Sequence, residues 1–167
     1  NYSLNSSLEA QIASISDDIA YNSHDLEDGL KSNLFKLNHL KNIPILNKII
    51  TKHIKKLKKH SIDLVIRQLI RDVINEMVSD VILTTNKNIS FYKIKNLNDI
   101  YKNKNQLVSF SNKMKKFDTQ IKKFLRQRMY FHNKVISKTK YGKKVITKLF
   151  EKIKKNPKKY INIKKYS

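Results

Sequence analysis

Asp17, Tyr21 and Asp25 follow one another at i, i+4 and i+8 within LEAQIASISDDIAYNSHDLEDGL, residues Leu8 to Leu30. On a helix that spacing lines two carboxylates and a phenol along one stripe, facing away from the apolar series Leu8, Ile12, Ile15 and Ile19. Eight residues of helical rise set the Cα atoms of Asp17 and Asp25 roughly 12 Å apart. That is too far for both to hold one ion at ligand distances of about 2 Å. The two carboxylates therefore divide the work: an ion at Asp17, with Tyr21 and Asp25 reaching further along an elongated ligand such as a nucleotide. The plainer alternative is a solvated acidic face, with Tyr21 a core aromatic whose hydroxyl stays wet. His24 beside Asp25 mimics a metal-binding doublet, but adjacent helical side chains diverge by about 100° and do not converge on one ion.

The setting sharpens the reading. This stretch holds six of the chain's 13 acidic residues and none of its 36 Lys and Arg. A carboxylate-rich face amid cations suits a divalent metal and a polyphosphate together. The net charge of +23 points to an anionic partner. Abundant Lys, Asn and Ile also fit AT-rich coding drift that leaves Lys on solvated faces. The four Arg stand out against that background as two pairs, Arg67 with Arg71 and Arg126 with Arg128; the first pair shares a helical face. The absence of Cys excludes disulfides, thiolate metal sites and a cysteine nucleophile. No run approaches the roughly 20 apolar residues of a membrane helix, and the first residues lack a secretion signal. The expectation is a cytoplasmic protein, and a chain beginning at Asn1 without Met is expected to be a piece of something longer.

Periodicity predicts an all-α fold. Ser6 with Glu9 makes a capping box for the first helix, which is expected to end near Asp28 with Gly29 in a left-handed cap. A linker through Asn38 and Asn42 leads to Pro44 and an amphipathic helix from Ile45 to Leu57, with Lys55, Lys56, Lys58 and Lys59 outward. Ser61 caps a long helix with the stripe Ile62, Val65, Ile66, Leu69, Val73, Ile74, Met77, Val78, Val81 and Ile82. Residues 86–106 read as an Asn-rich loop with a short extended stretch at Ser90 to Ile94. Two more helices are expected, over 112–132 and 141–155, before Pro157 and a fraying Lys-rich tail.

The Leu8 to Leu30 stretch resembles the signature that follows the catalytic His-Asp core in bacterial deoxynucleoside triphosphate triphosphohydrolases, the dGTPase-like branch of the HD-domain superfamily. The likeness continues in order through VIRQLIRDVINEMVSDVI, LVSFSNKM, KKFLRQRMYFH and KKVITKLFEKIKKNP. It implies an HD-type fold represented by its last core helix plus the C-terminal phosphohydrolase-associated helices. The matching division is residues 1–60 for the end of the HD domain, 61–156 for the associated helical region and 157–167 for a basic tail. It further implies that Asp17 is the final ligand of a divalent metal (Mg, Mn or Fe), and that Tyr21 and Asp25 contact the deoxyribose. Lys122, Arg126 and Tyr130 recur at i, i+4 and i+8 and resemble the family's phosphate-facing stripe, while His132 reads as a structural hydrogen-bonding residue. Arg67 and Arg71 are candidates for a regulatory nucleotide.

In the complete enzyme the resemblance implies attack of a metal-activated water on the α-phosphate, giving deoxynucleoside and triphosphate. The family's first His and its His-Asp doublet precede this signature and find no match here. No catalytic acid or base is assigned, and this chain alone is expected to be inactive. Its expected partners are the dNTP substrate, the missing N-terminal HD portion and further copies in a homo-oligomer. The competing reading is a basic all-α module that binds single-stranded nucleic acid through Lys faces, at the cost of leaving the acidic stripe unexplained. A membrane-surface role for the helix from Ile45 to Leu57 rests on amphipathicity alone, and no membrane partner is expected.

Overall fold

A computed structural model describes residues 3–54 and 61–160, and all regular structure among them is helical. The elements are α1 (Leu8–Lys31), α2 (Leu37–Leu40), α3 (Pro44–Ile54), α4 (Ile62–Phe91), α5 (Leu97–Lys102) and α6 (Asn112–Leu125). A π-helical segment (Arg126–Tyr130) follows, then α7 (Asn133–Lys155) and α8 (Pro157–Tyr160). No described helix is long and apolar enough to cross a membrane. Lys55, Lys56, Leu57, Lys58 and Lys59, together with the end of the tail, lie outside the described residues.

The core forms where α1 and α3 pack on α4 and α6 closes against α1. Leu26, Leu40, Leu46, Leu69, Val73, Met77, Phe117, Ile121 and Leu125 are fully buried there. Each such side chain stabilises the fold by about 1.5–3 kcal/mol. The α1 face turned to this core is Ile19, Asn22, Ser23, Leu26, Gly29 and Leu30, whereas Ile12 is exposed. On α4 the buried stripe is Val65, Ile66, Leu69, Ile70, Val73, Met77 and Val81; Ile62, Val78 and Ile82 of the expected stripe are exposed.

Local chemistry moves several boundaries. Ser7, not Ser6, caps α1, its side chain accepting from the Ala10 amide. Gly29 is not the left-handed cap: α1 continues to Lys31, and Asn33 takes the left-handed turn at φ 53° while the Leu34 amide closes back on the Gly29 carbonyl. The missing Cβ of Gly29 serves packing instead, because the Phe35 ring lies where that atom would be. Phe35 in turn meets Phe124 edge-on at 4.9 Å between ring centroids.

The expected loop over residues 86–106 is a second correction. α4 runs on to Phe91, with no extended stretch at Ser90 to Ile94, and α5 follows behind an Asn96–Asp99 capping box. The Asn residues that looked like loop formers make tertiary and capping bonds: Asn88 Nδ2 donates to the Leu107 carbonyl at 2.8 Å, and Asn96 Oδ1 accepts from the Asp99 amide. A helical turn, α2, interrupts the expected linker before Pro44. The last expected helix begins at Asn133 rather than Tyr141, and none of its residues is buried; Ile146 is 69% exposed and Phe150 65%.

Candidate functional site

α1 and the α6–π unit are held together by polar groups before any ligand is considered. Asn22, buried on α1, donates to Asp118 Oδ1 at 2.8 Å. Lys122 Nζ lies 3.0 Å from Asp118 and 3.4 Å from Asp18. Partial burial alone would pull the Lys122 pKa down, but these two carboxylates outweigh it and hold the ammonium above the ordinary lysine range. At the start of α6, Asp80 accepts from both the amide and the hydroxyl of Ser111, which caps the helix and so sets its axis. Gln11, also buried, receives the amides of Leu107 and Val108 on its Oε1 and donates to the Ser6 carbonyl.

Beyond Lys122 the helix widens. The Phe131 amide bonds the Arg126 carbonyl, five residues back, as a π turn does. Each i+4 step on an α-helix drifts about 40° around the axis. More residues per turn offset that drift, so Tyr130 stays on the Lys122 side of the helix, facing α1. There its hydroxyl donates a hydrogen bond to Asp25 Oδ2. Burial, chiefly, raises the Tyr130 pKa far above that of an ordinary phenol, and Asp25 and then Tyr21 add to it. The phenol is therefore a fixed neutral donor. Asp25 keeps acceptor capacity beyond this bond, since a carboxylate offers about four lone-pair positions.

The structure thus brings Tyr21, Asp25 and Tyr130 into one cluster across 105 residues of sequence between Asp25 and Tyr130. Tyr21 is 58% exposed, which excludes the core-aromatic alternative. Lys122 joins the same interface but faces carboxylates. Arg126 is exposed, its guanidinium 5.5 Å from the Phe131 ring centroid. Arg67 and Arg71 are exposed on α4, away from this cluster's contacts. His24 is exposed, while His132 caps α7 by accepting from the Lys134 amide.

Asp17 is exposed on α1. Among the described residues no three His, Asp or Glu converge as an ion requires. One carboxylate does not hold a divalent cation, so the residues present do not by themselves fit a metal.

Asp18, Asn22 and Asp118 also belong to the interface of α1 with α6. Asp118 lies four residues before Lys122, a spacing that signals an ion pair. Gln11 and Asp80 carry no local signal, since their partners lie 96 and 31 residues away. The same holds for the His53–Asp72 pair of α3 and α4, in which a 2%-exposed imidazole meets the carboxylate at 2.8 Å and Lys52 lies 3.0 Å from it.

Residues 108–163, from the loop before α6 onward, match the phosphohydrolase-associated domain. Over 162 residues the chain is 44% identical to the deoxyguanosinetriphosphate triphosphohydrolase-like protein of Pelagibacter ubique (strain HTCC1062), covering 97% of this chain and 44% of that relative. Proteins of the same description from Rickettsia typhi and Bartonella quintana are 36% and 35% identical, over 87% and 90% of this chain and 38% of each relative. The chain spans less than half the length of these curated relatives. With an all-helical architecture, the associated-domain match and this run of similarity over nearly its whole length, the chain belongs to the deoxyguanosinetriphosphate triphosphohydrolase-like family.

Proposed function

We propose that this chain forms the sugar-binding wall of a metal-dependent enzyme that hydrolyses a deoxynucleoside triphosphate to deoxynucleoside and triphosphate. The observation that carries the reading is the Tyr130–Asp25 hydrogen bond beside the exposed Tyr21. A carboxylate already oriented by one donor and retaining free lone pairs accepts a sugar hydroxyl at little further ordering cost. The Tyr21 ring beside it offers an apolar edge to a ring lacking the 2′-hydroxyl. Lys122 sits with Asp18 and Asp118 and serves first to hold α1 to α6. Arg126 is the more available cation for phosphate.

Asp17 would be one ligand of the divalent ion, the others coming from the remainder of the protein. The chain alone is accordingly inactive in this proposal. The test is made in the full-length protein: Asp17→Ala abolishes release of triphosphate from dGTP, and retained turnover overturns the assignment. Asp25→Asn there raises KM for a deoxynucleotide by about tenfold, in line with a lost hydrogen bond to a charged acceptor.

A second reading has its own observation. α7 is a 23-residue helix with no buried residue and a Lys-rich surface, which suits the backbone of single-stranded nucleic acid. Titration with single-stranded DNA at two salt concentrations separates the two, because phosphate contacts make affinity fall steeply with salt.

A further inference from the structure

α7 carries an apolar seam that nothing among the described residues covers. Val135, Thr139, Gly142, Ile146, Leu149 and Ile153 recur along it at steps of four, three, four, three and four. That is the a/d pattern of a helix packed on another helix, whose 3.5-residue period keeps one narrow line turned to the partner. Ile146 and Leu149, with Val145 and Phe150 beside them, are exposed, and Val135 and Ile153 are half-buried. The two small members suit such a seam. The Thr139 hydroxyl donates to the Val135 carbonyl at 3.0 Å, so its proton needs no partner from outside the helix. At Gly142 a Cβ would meet nothing within 4 Å, which leaves a notch for a side chain of a facing helix.

The flanks of the seam are positive. Lys138 and Lys152 border it on one side and Lys143 on the other, at the g and e positions of the repeat. None of the three takes part in an ion pair among the described residues. The one acid of α7, Glu151, falls at f, on the side turned away. Flanking charges of this kind select the partner. Two parallel copies of α7 would set Lys138 against Lys143, and in antiparallel copies the charged flanks are again all Lys, so a second copy meets repulsion. An anionic lipid surface satisfies the lysines but makes no use of the notch, and a nucleic-acid strand leaves the seam in water. A helix with apolar residues along the seam and Asp or Glu at its flanks satisfies both.

The source of such a helix lies in the length of the relatives. This chain spans 44% of the Pelagibacter ubique protein and 38% of the Rickettsia typhi one. A helix from the rest of the same polypeptide is tethered, and tethering raises its effective concentration over that of a free partner.

We infer that α7 is the docking surface for an acid-flanked helix of the longer protein, with apolar residues packed from Val135 to Ile153 and carboxylates on Lys138, Lys143 and Lys152. The surface shares no residue with the Asp25–Tyr130 cluster and has the same use whether or not that cluster serves a hydrolase.

The test compares the full-length protein with this chain by hydrogen exchange. Amides of residues 139–153 exchange at least about tenfold more slowly in the full-length protein, as those of a packed helix do, and equal exchange overturns the surface. A zero-length carbodiimide then joins lysines to carboxylates in ion-pair contact, in a mixture of isotopically labelled and unlabelled full-length protein. Lys138, Lys143 or Lys152 couples to an Asp or Glu of the same polypeptide outside this chain. Coupling between labelled and unlabelled polypeptides assigns the face to a second copy and overturns the inference, as does coupling of none of these three lysines. The triple variant Lys138→Glu/Lys143→Glu/Lys152→Glu loses the protection, whereas Lys140→Glu/Lys144→Glu/Lys148→Glu, equal in charge and on the outer side, keeps it. Loss in both, or in neither, overturns the inference. Protection that appears only with added single-stranded DNA or anionic vesicles assigns the face to that surface instead and overturns it too.

Discussion

At the scale of single residues, the Tyr130 phenol is held neutral by burial and by the Asp25 carboxylate it donates to. Its folded pKa lies above the unfolded one, so its contribution to stability is complete below pH about 10 and is lost as pH rises through the folded value. In an ultraviolet titration, the Tyr130 phenol ionises late, well above the ordinary phenol range. Tyr130→Phe removes that late step and leaves Asp25 half-buried without its donor, a loss of about 1–3 kcal/mol in denaturant unfolding. A late step that persists in the variant would place the perturbed phenol elsewhere.

At the scale of elements, Gly29 sets two rules of helix chemistry against each other. In mid-helix, Gly→Ala is worth up to about 1 kcal/mol of added stability from propensity alone. Here a Cβ would overlap the Phe35 ring, and overpacking a tight core costs about 1–3 kcal/mol. Overlap wins: Gly29→Ala lowers the denaturation midpoint, whereas Gly142→Ala on α7, which meets nothing, raises it. α7 gives the companion expectation. With no buried residue of its own, its amides exchange hydrogen far faster than those of α1 and α4 around Leu26 and Leu69.

These elements also show what could be read from the chain. Ser61 as a cap and the Val65, Ile66, Leu69, Val73, Met77 and Val81 part of the α4 stripe follow from local spacing, and the structure bears them out. Local pattern ends α1 near Asp28 with Gly29 as the cap, but left-handed geometry is open to Asn33 as well as to glycine. The helix through Asn86, Lys87 and Asn88 was hidden because the partners of Asn88, Leu107 and Ser109, lie about twenty residues away. The π turn that returns Tyr130 toward α1 leaves no trace in an i, i+4, i+8 pattern, which reads the same for a straight helix.

At the scale of the whole molecule, a net charge of +23 makes every anionic contact between elements matter more on acidification. Asp72 ties α4 to His53 and Lys52 of α3, and these partners hold its pKa below the usual carboxylate value, the His53 hydrogen bond foremost and against some desolvation. A depressed folded pKa means that the stabilisation is present above the unfolded value of about 3.9 and lost as pH falls through the folded one. The denaturation midpoint of the chain therefore drops below pH about 4, and Asp72→Asn, which is less stable at neutral pH, flattens that acid limb. A wild-type slope in the variant would assign the acid sensitivity to other carboxylates.

The Gln11 carboxamide has a consequence for the order of events at the ribosome. Its two amide donors, at Leu107 and Val108, are translated 96 and 97 residues after it. At about 5–20 residues per second, α1 spends on the order of 5–20 seconds with that side chain still in water. The Gln11 carboxamide therefore keeps its water partners through that interval, and α1 locks onto the loop preceding α6 only when that loop emerges from the exit tunnel.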